Sequence, residues 1–311
     1  MSCCIALSAS EPPTPSVGFS YDKKLSVFDI LLTILLGIIC ITCVLPFIHL
    51  LAVSFSSSSA VAAGRVGFLP VEFTTVSYEY VISGGRFLHA MGISIERVIL
   101  GTLLNIVLMV LTAYPLAKND LPGRGIISGF FVLTMLIGGG MIPTYLLVSG
   151  LGLKDTIWAL ILPGALPVYN MIILMNFIRG LPHEVEEAAW IDGATPFQTL
   201  VHVIFPLLGP SLATVGLFSM VGHWNDWFAG MIYMSQPINY PLQTYLQTLL
   251  VDFEKLLQSD STGNIKDILS KMNARTGRAA QLFLGALPIM CVYPFLQRYF
   301  TKGLTLGSVK G

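Results

Sequence analysis

Six apolar runs, at about 27–53, 98–117, 126–148, 156–178, 203–234 and 279–297, are each long enough to cross a hydrocarbon core as a helix. Backbone in lipid must satisfy its own N–H and C=O groups, so runs of this length leave the α-helix as the spanning form. Composition agrees, with 54% of the 311 residues hydrophobic and only 11% charged, and a mean hydropathy of +0.75. An ordinary soluble domain is excluded. The expected fold class is all-α, a polytopic membrane protein with six transmembrane helices and lipid as its first partner. A net charge of zero argues against nucleic acid.

The runs divide the chain. Residues 1–24, with Pro12, Pro13 and Pro15 among serines, read as a disordered tail. The first apolar run is too long for the core of a cleavable signal and should remain as an anchor. Residues 25–92 hold that span and an extended segment, expected to contain a short surface helix because Tyr78, Tyr80 and Phe87 are interface-type aromatics. Residues 93–297 form a core of five spans, and 298–311 a second tail. In the third span Gly138, Gly139 and Gly140 precede Pro143, which suits close helix packing, the preferred reading, or a hinge. A six-span layout puts both termini on one side with Lys23, Lys24, Lys118, Arg124, Arg179, Arg298 and Lys302 near span ends, as the positive-inside rule requires. Lys255, Lys266, Lys271, Arg275 and Arg278 lie on the other side amid acids, so charge supports this orientation without fixing it.

Chemistry has little to work with. No phosphate-cradling GxxxxGK[ST], zinc-binding HExxH or nucleophilic GxSxG occurs, and His49, His89, His183, His202 and His223 are scattered. No catalytic residue, metal ligand or cofactor is expected of this chain. Its five cysteines form no disulfide framework, and Cys40 and Cys43 read as small residues of the first span.

Residues 181–210 are patterned differently from their surroundings. Pro182 suits a helix start, and Glu184, Glu186 and Glu187 sit where the helix dipole favours anions. Val185, Ala188 and Ala189 give this helix an apolar stripe, and it should end near Asp192 and Gly193. Thr195, Pro196 and Gln198 then form a capping box for a second helix running on into the membrane. Acids on the first helix suit a protein partner with basic side chains better than an anionic lipid surface; a solvated acidic loop is the plainer alternative.

The fifth span carries Gly-His-Trp-Asn-Asp-Trp-Phe at 222–228. Polar groups inside a membrane helix are costly unless they are paired or face a water-filled path. His223, Trp224, Asn225, Asp226 and Trp227 are therefore candidates for a carbohydrate path, with indoles stacking on sugar rings and Asn and Asp bonding hydroxyls. An interfacial tryptophan belt, with Asn and Asp bonded to neighbouring helices, is the other reading.

Glu187-Ala188-Ala189, Gly193 and the closing Val203-Ile204-Phe205-Pro206 resemble the EAA loop of ABC importer membrane subunits, with Val203 in place of Ile and Phe205 in place of Leu. The resemblance implies a type I ABC importer permease fold. It also implies that Glu187, Ala188, Ala189, Asp192, Gly193 and Pro206 couple the chain to a cytoplasmic ATPase. The ending QRYFTKGLTLGSVKG at 297–311, with WNDWF, is similar to the maltose-type sugar-importer branch. That similarity implies that Gly303, Leu304, Thr305, Gly307, Val309 and Lys310 reach between two ATPase subunits; a disordered tail is the alternative. The implied partners are a second permease forming a heterodimer, two ATP-binding cassette subunits that bind ATP and Mg, an extracytoplasmic solute-binding protein and an oligosaccharide substrate. The implied location is the bacterial cytoplasmic membrane with both termini cytoplasmic, and the layout most resembles permeases for complex oligosaccharides, including the polysaccharide-breakdown group. A peptide or amino-acid substrate is the nearest alternative. An ion-coupled secondary transporter would show repeated halves and intramembrane carboxylates, for which only Asp29 and Asp226 are candidates. A membrane enzyme lacks a catalytic constellation.

Overall fold

The computed structural model describes residues 27–83, 85–249 and 275–291. By internal contacts the chain forms two units, Met1–Pro46 and Phe47–Gly311. Helix α1 (Val27–Ser54) is apolar on all sides and almost wholly exposed, as expected of a helix whose solvent is lipid. Residues 1–26, and with them the tail expectation, lie outside the described residues.

The following segment is built by local polar bonds. Short α2 (Ser58–Ala62) starts at Ser57, whose hydroxyl caps the Ala60 N–H. Glu72, at φ 54, accepts from Ser57 (2.5 Å), Ser59 (3.2 Å) and Arg65 (2.9 Å), which closes this loop on itself. In α3 (Val76–Ser83) Tyr78 stacks on Phe55 and shares a 2.7 Å bond with Ser54, so it ties the segment together. Phe87 is 2% exposed and belongs to the core, which corrects its assignment to an interface; the Tyr80 side chain lies outside the described residues.

Helix α4 (Arg86–Ala117) begins well before the hydropathy of its sequence suggests and crosses the expected boundary at 92/93. Phe87, Ala90, Ser94, Arg97, Gly101, Asn105, Met109 and Ala113 recur at three- and four-residue steps and form its buried face, while Ile95, Ile99, Leu103, Val107 and Leu111 form the exposed one. Onto the buried face pack α8 (Val168–Arg179) and α12 (Gly209–Asn225). One core joins Met109, Val110, Ala113 and Tyr114 to Met171, Leu174, Met175 and Ile178 of α8 and Val215 of α12. A second joins Phe87 and Ala90 to Trp224, Leu242 and Leu246 of the helix at 242–249, and Ala280 of the helix at 275–291.

Three of the expected spans are broken. Helices α5 (Arg124–Leu136) and α6 (Met141–Gly150) meet at 107° across the Gly138–Gly140 run. Those glycines are exposed and an added Cβ on Gly138 or Gly139 would touch nothing, so the run is a break and the close-packing expectation is corrected. Helix α7 (Ile157–Ile161), extended by a 3₁₀ turn at Leu162–Gly164, meets α8 at 52° across Ala165–Pro167, where proline cannot continue the ladder. After α9 (His183–Ile191) and α10 (Pro196–Thr199), a π-helical turn at Leu200–Ile204 and α11 (Phe205–Leu207) lead into α12 at 82°. The fifth run thus opens with a bent entry, and it breaks again after Asn225 before α13 (Phe228–Tyr233). Among the described residues two helices are long and apolar enough to cross a membrane, or up to five if each bent pair counts as one span. The expected sixth span reaches beyond residue 291 and lies partly outside the described residues.

Candidate coupling loop and polar cavity

Helix α9 ends as a Schellman motif. The Gly193 N–H bonds to Trp190 O (3.0 Å) and the Ala194 N–H to Ala189 O (2.9 Å), with Gly193 at φ 83 supplying the left-handed residue. The Thr195–Gln198 capping box follows directly, so two helix ends are satisfied within six residues and the turn between them is rigid. Pro182 sits one position earlier than a first helical residue, at the N-cap.

On α9 the side chains separate into two faces. Glu187, Ala188, Trp190, Ile191 and Asp192 are exposed, with Ile191 85% accessible, and Gly193 and Pro206 are exposed beyond the helix. Ala189 is buried against the chain itself, so it supports the helix from behind and cannot share an outward docking face with Ala188. Glu186 is buried too. Its carboxylate accepts from Lys118 Nζ at the end of α4, and the same ammonium lies 4.7 Å from the Tyr114 ring. Nearby, Arg179 donates to Leu116 O at 3.2 Å. The sequence showed Glu186 only as one acid among three; nothing in it pointed to Lys118.

The polar cluster of the fifth span borders a cavity of about 260 Å³, lined in part by Arg97, Asn105, Asn170, Ser219, His223 and Tyr233. Arg97 is 2% exposed. It donates to Asp226 Oδ2 (2.5 Å), Asp226 O (2.8 Å) and Leu160 O (3.0 Å). Asp226 Oδ1 accepts from the Phe228 and Ala229 N–H groups (both 3.1 Å) at the start of α13. Asn105 donates to Gly164 O and Ala165 O (2.8 and 2.9 Å), the carbonyls freed by the break before α8. Both amide protons are thereby used, so its Oδ1 accepts the 2.6 Å bond from His223 and fixes a proton on Nε2. The His223 ring lies flat against Gly101, where an added Cβ would come within 2.5 Å of Nε2.

Arg97 and Asn105 therefore satisfy backbone groups that broken helices leave open, as hydrocarbon demands. Of the five residues expected on the path, His223 and Asp226 line the cavity. Trp224 is packed in the second core, and Asn225 and Trp227 are exposed away from the lining. Trp227 instead meets Phe228 edge to face, and its carbonyl accepts from Thr244 at 2.7 Å. Arg97 was missed because its charge ended the apolar run at 98, although Arg97, Gly101 and Asn105 fall at i, i+4 and i+8 on one helix face. Among the described residues no three His, Cys, Asp or Glu side chains gather as metal ligands. The tail residues Gly303, Leu304, Thr305, Gly307, Val309 and Lys310 lie outside the described residues.

Comparison with known proteins adds to this geometry. The chain is 39% identical over 287 residues to Protein LplC of Bacillus subtilis, covering 92% of this chain and 95% of that one. It is 36% identical over 290 residues to the polygalacturonan/rhamnogalacturonan transport system permease protein YtcP of the same organism, covering 93% of this chain and all of that one. Among solved structures, a chain of a bacterial ABC transporter involved in import of the acidic polysaccharide alginate superposes with a TM-score of 0.80 at 30% identity, over 90% of this chain and 99% of that one. Residues 98–306 match the family model described as the binding-protein-dependent transport system inner membrane component, and with more than half its length inside that match this chain belongs to that family, as a membrane transport subunit of an ABC transporter rather than an enzyme.

Proposed function

We propose that the chain forms, with a second permease, the path of an ATP-driven importer for an oligosaccharide delivered by a solute-binding protein. The observation that carries this reading is the exposed face of α9, with Glu187, Ala188, Ile191 and Asp192 presented on a helix held rigid at its end by the Gly193 turn. An acidic, partly apolar helix projecting from a membrane subunit suits a cleft on an ATPase that offers basic side chains. Glu187 pairs across that interface, and because such a pair stays partly solvated it contributes about 1 kcal/mol, leaving the Ala188 and Ile191 contacts to supply the rest. Ala189 acts from within.

In this reading the loop faces the cytoplasm, six spans put both termini there, and two ATPase subunits bind ATP and Mg. The tail from Gly303 to Lys310 reaches between them. The polar cavity, lined also by Asn170, Ser219 and Tyr233, is part of the path; the amide and hydroxyls of these residues suit sugar hydroxyls. Support for an oligosaccharide comes from relatives and a solved neighbour whose names carry polygalacturonan, rhamnogalacturonan and alginate.

The test is co-purification from native membrane, wild type against Glu187→Arg. An ATPase subunit and a second permease accompanying the wild type, with the ATPase lost from the variant, is the expected result. A wild type that emerges alone, with transport indifferent to ATP depletion, would overturn the reading.

A further inference from the structure

The loop helix is joined covalently at both ends, through residues 180–182 to α8 and through α10 and the π-helical turn into α12, and its buried Ala189 packs against the chain. Its ion pair across the fold is the part-buried contact of Glu186 with Lys118, which joins α9 to the end of α4. Lys118 is set firmly: its N–H bonds to Pro115 O (3.1 Å), its ammonium lies over Tyr114, and Arg179 caps the adjacent Leu116 carbonyl. From that end α4 continues as one helix, with Pro115 in its last turn, to the cavity, where Asn105 and Arg97 lie roughly 20 and 30 Å along the axis. Among the described residues the Glu186 carboxylate has no other hydrogen bond.

Resting on the coupling reading above, we infer that the Lys118–Glu186 pair is a positioning tie that carries movement of the ATPase-facing helix α9 to α4, and through α4 to Arg97 and Asn105 at the cavity. The physical reason is stiffness. A part-buried, hydrogen-bonded ion pair resists separation because parting it strands the Glu186 carboxylate in the interior, and it ties α9 directly to α4, which the turns at its ends do not. A helix gripped at one end and bonded at the other to two helix breaks delivers a displacement to the elements those breaks join: Leu160 and Gly164 before the first break, Ala165 within it, and Asp226 before α13.

The experiment uses the assembled transporter in liposomes, with Cys3, Cys4, Cys40, Cys43 and Cys291 replaced by serine and Ser219→Cys as a cavity reporter labelled by N-ethylmaleimide. In this parent, ATP should change the labelling rate. With Glu186→Gln or Lys118→Gln the ATPase subunits stay bound and hydrolyse ATP, but the ATP-dependent change in labelling falls roughly tenfold, the size of an ordinary coupling between sites. Lys118→Arg and the exchange Lys118→Glu with Glu186→Lys keep both charges and should restore it. Single variants that respond like the parent overturn the inference. So does a charge-preserving variant that assembles without responding, and so does loss of every variant from the membrane, which would make the pair a prop of the fold and no relay. Failure of the coupling reading is seen separately: Glu187→Arg would then keep its ATPase subunits.

Discussion

Gly101 shows how tightly single residues are set around the cavity. The His223 imidazole occupies the space a side chain would need, and Asn105 on the next turn holds that ring by its Nε2. Gly101→Ala therefore forces the ring to shift or the helices to part, and overpacking of this kind costs about 1–3 kcal/mol. Thermal unfolding in detergent should show the loss, while an alanine at Gly129, with open space around its Cβ position, should not. A second residue-scale effect lies outside the spans. The Asp155 carboxyl is held below its ordinary value chiefly by the Ser235 N–H that donates to it at 2.5 Å, then by the Ser235 hydroxyl, and to a smaller degree by the charge of Lys154. A lowered carboxyl pKa means that the tie is complete above the ordinary value near 4 and is lost as pH falls through the lowered one. Acidification should thus speed hydrogen exchange of the Ser235 amide, and Asp155→Asn should leave that exchange fast and much less dependent on pH beyond the intrinsic amide rate.

At the scale of elements, the α9–α10 unit depends on its two caps. Gly193 at φ 83 lets the Schellman bonds form, and any L side chain there is strained by about 1–2 kcal/mol. Gly193→Ala should loosen α9 without unfolding the chain, read as weaker retention of the ATPase subunit at raised salt, with expression unchanged. The π-helical turn that follows absorbs an extra residue before the 82° entry into α12. Its sequence, Leu-Val-His-Val-Ile, has nothing to distinguish it from an α-helical run. Caps were legible because they depend on neighbours in sequence, whereas the π turn depends on what Leu200 and Ile204 pack against.

At the largest scale, α4 is the helix onto which α7, α8 and α12 pack, and Arg97 is its most consequential side chain. It bonds the carbonyl before one helix break and both the carbonyl and carboxylate of Asp226 at another. Arg97→Ala leaves those acceptors without a donor and should cost about 3 kcal/mol, visible as reduced membrane yield and a lower unfolding temperature. Because Asp226 is the other half of the pair, loss of uptake in Asp226→Ala would report lost packing before it reported a lost sugar contact. The sequence by itself determined the helical, membrane-embedded class, because run length and hydrocarbon leave no other form. It also determined the Gly193 turn and its capping box, which are bonds between residues a few places apart. The tertiary structure alone decided that Glu186 turns inward while Glu187 faces out, that Trp224 packs in the second core, and that Arg97 reaches Asp226. Those are contacts between distant elements, and a membrane helix that is apolar on nearly every side carries little pattern to say which face meets a neighbour and which meets lipid.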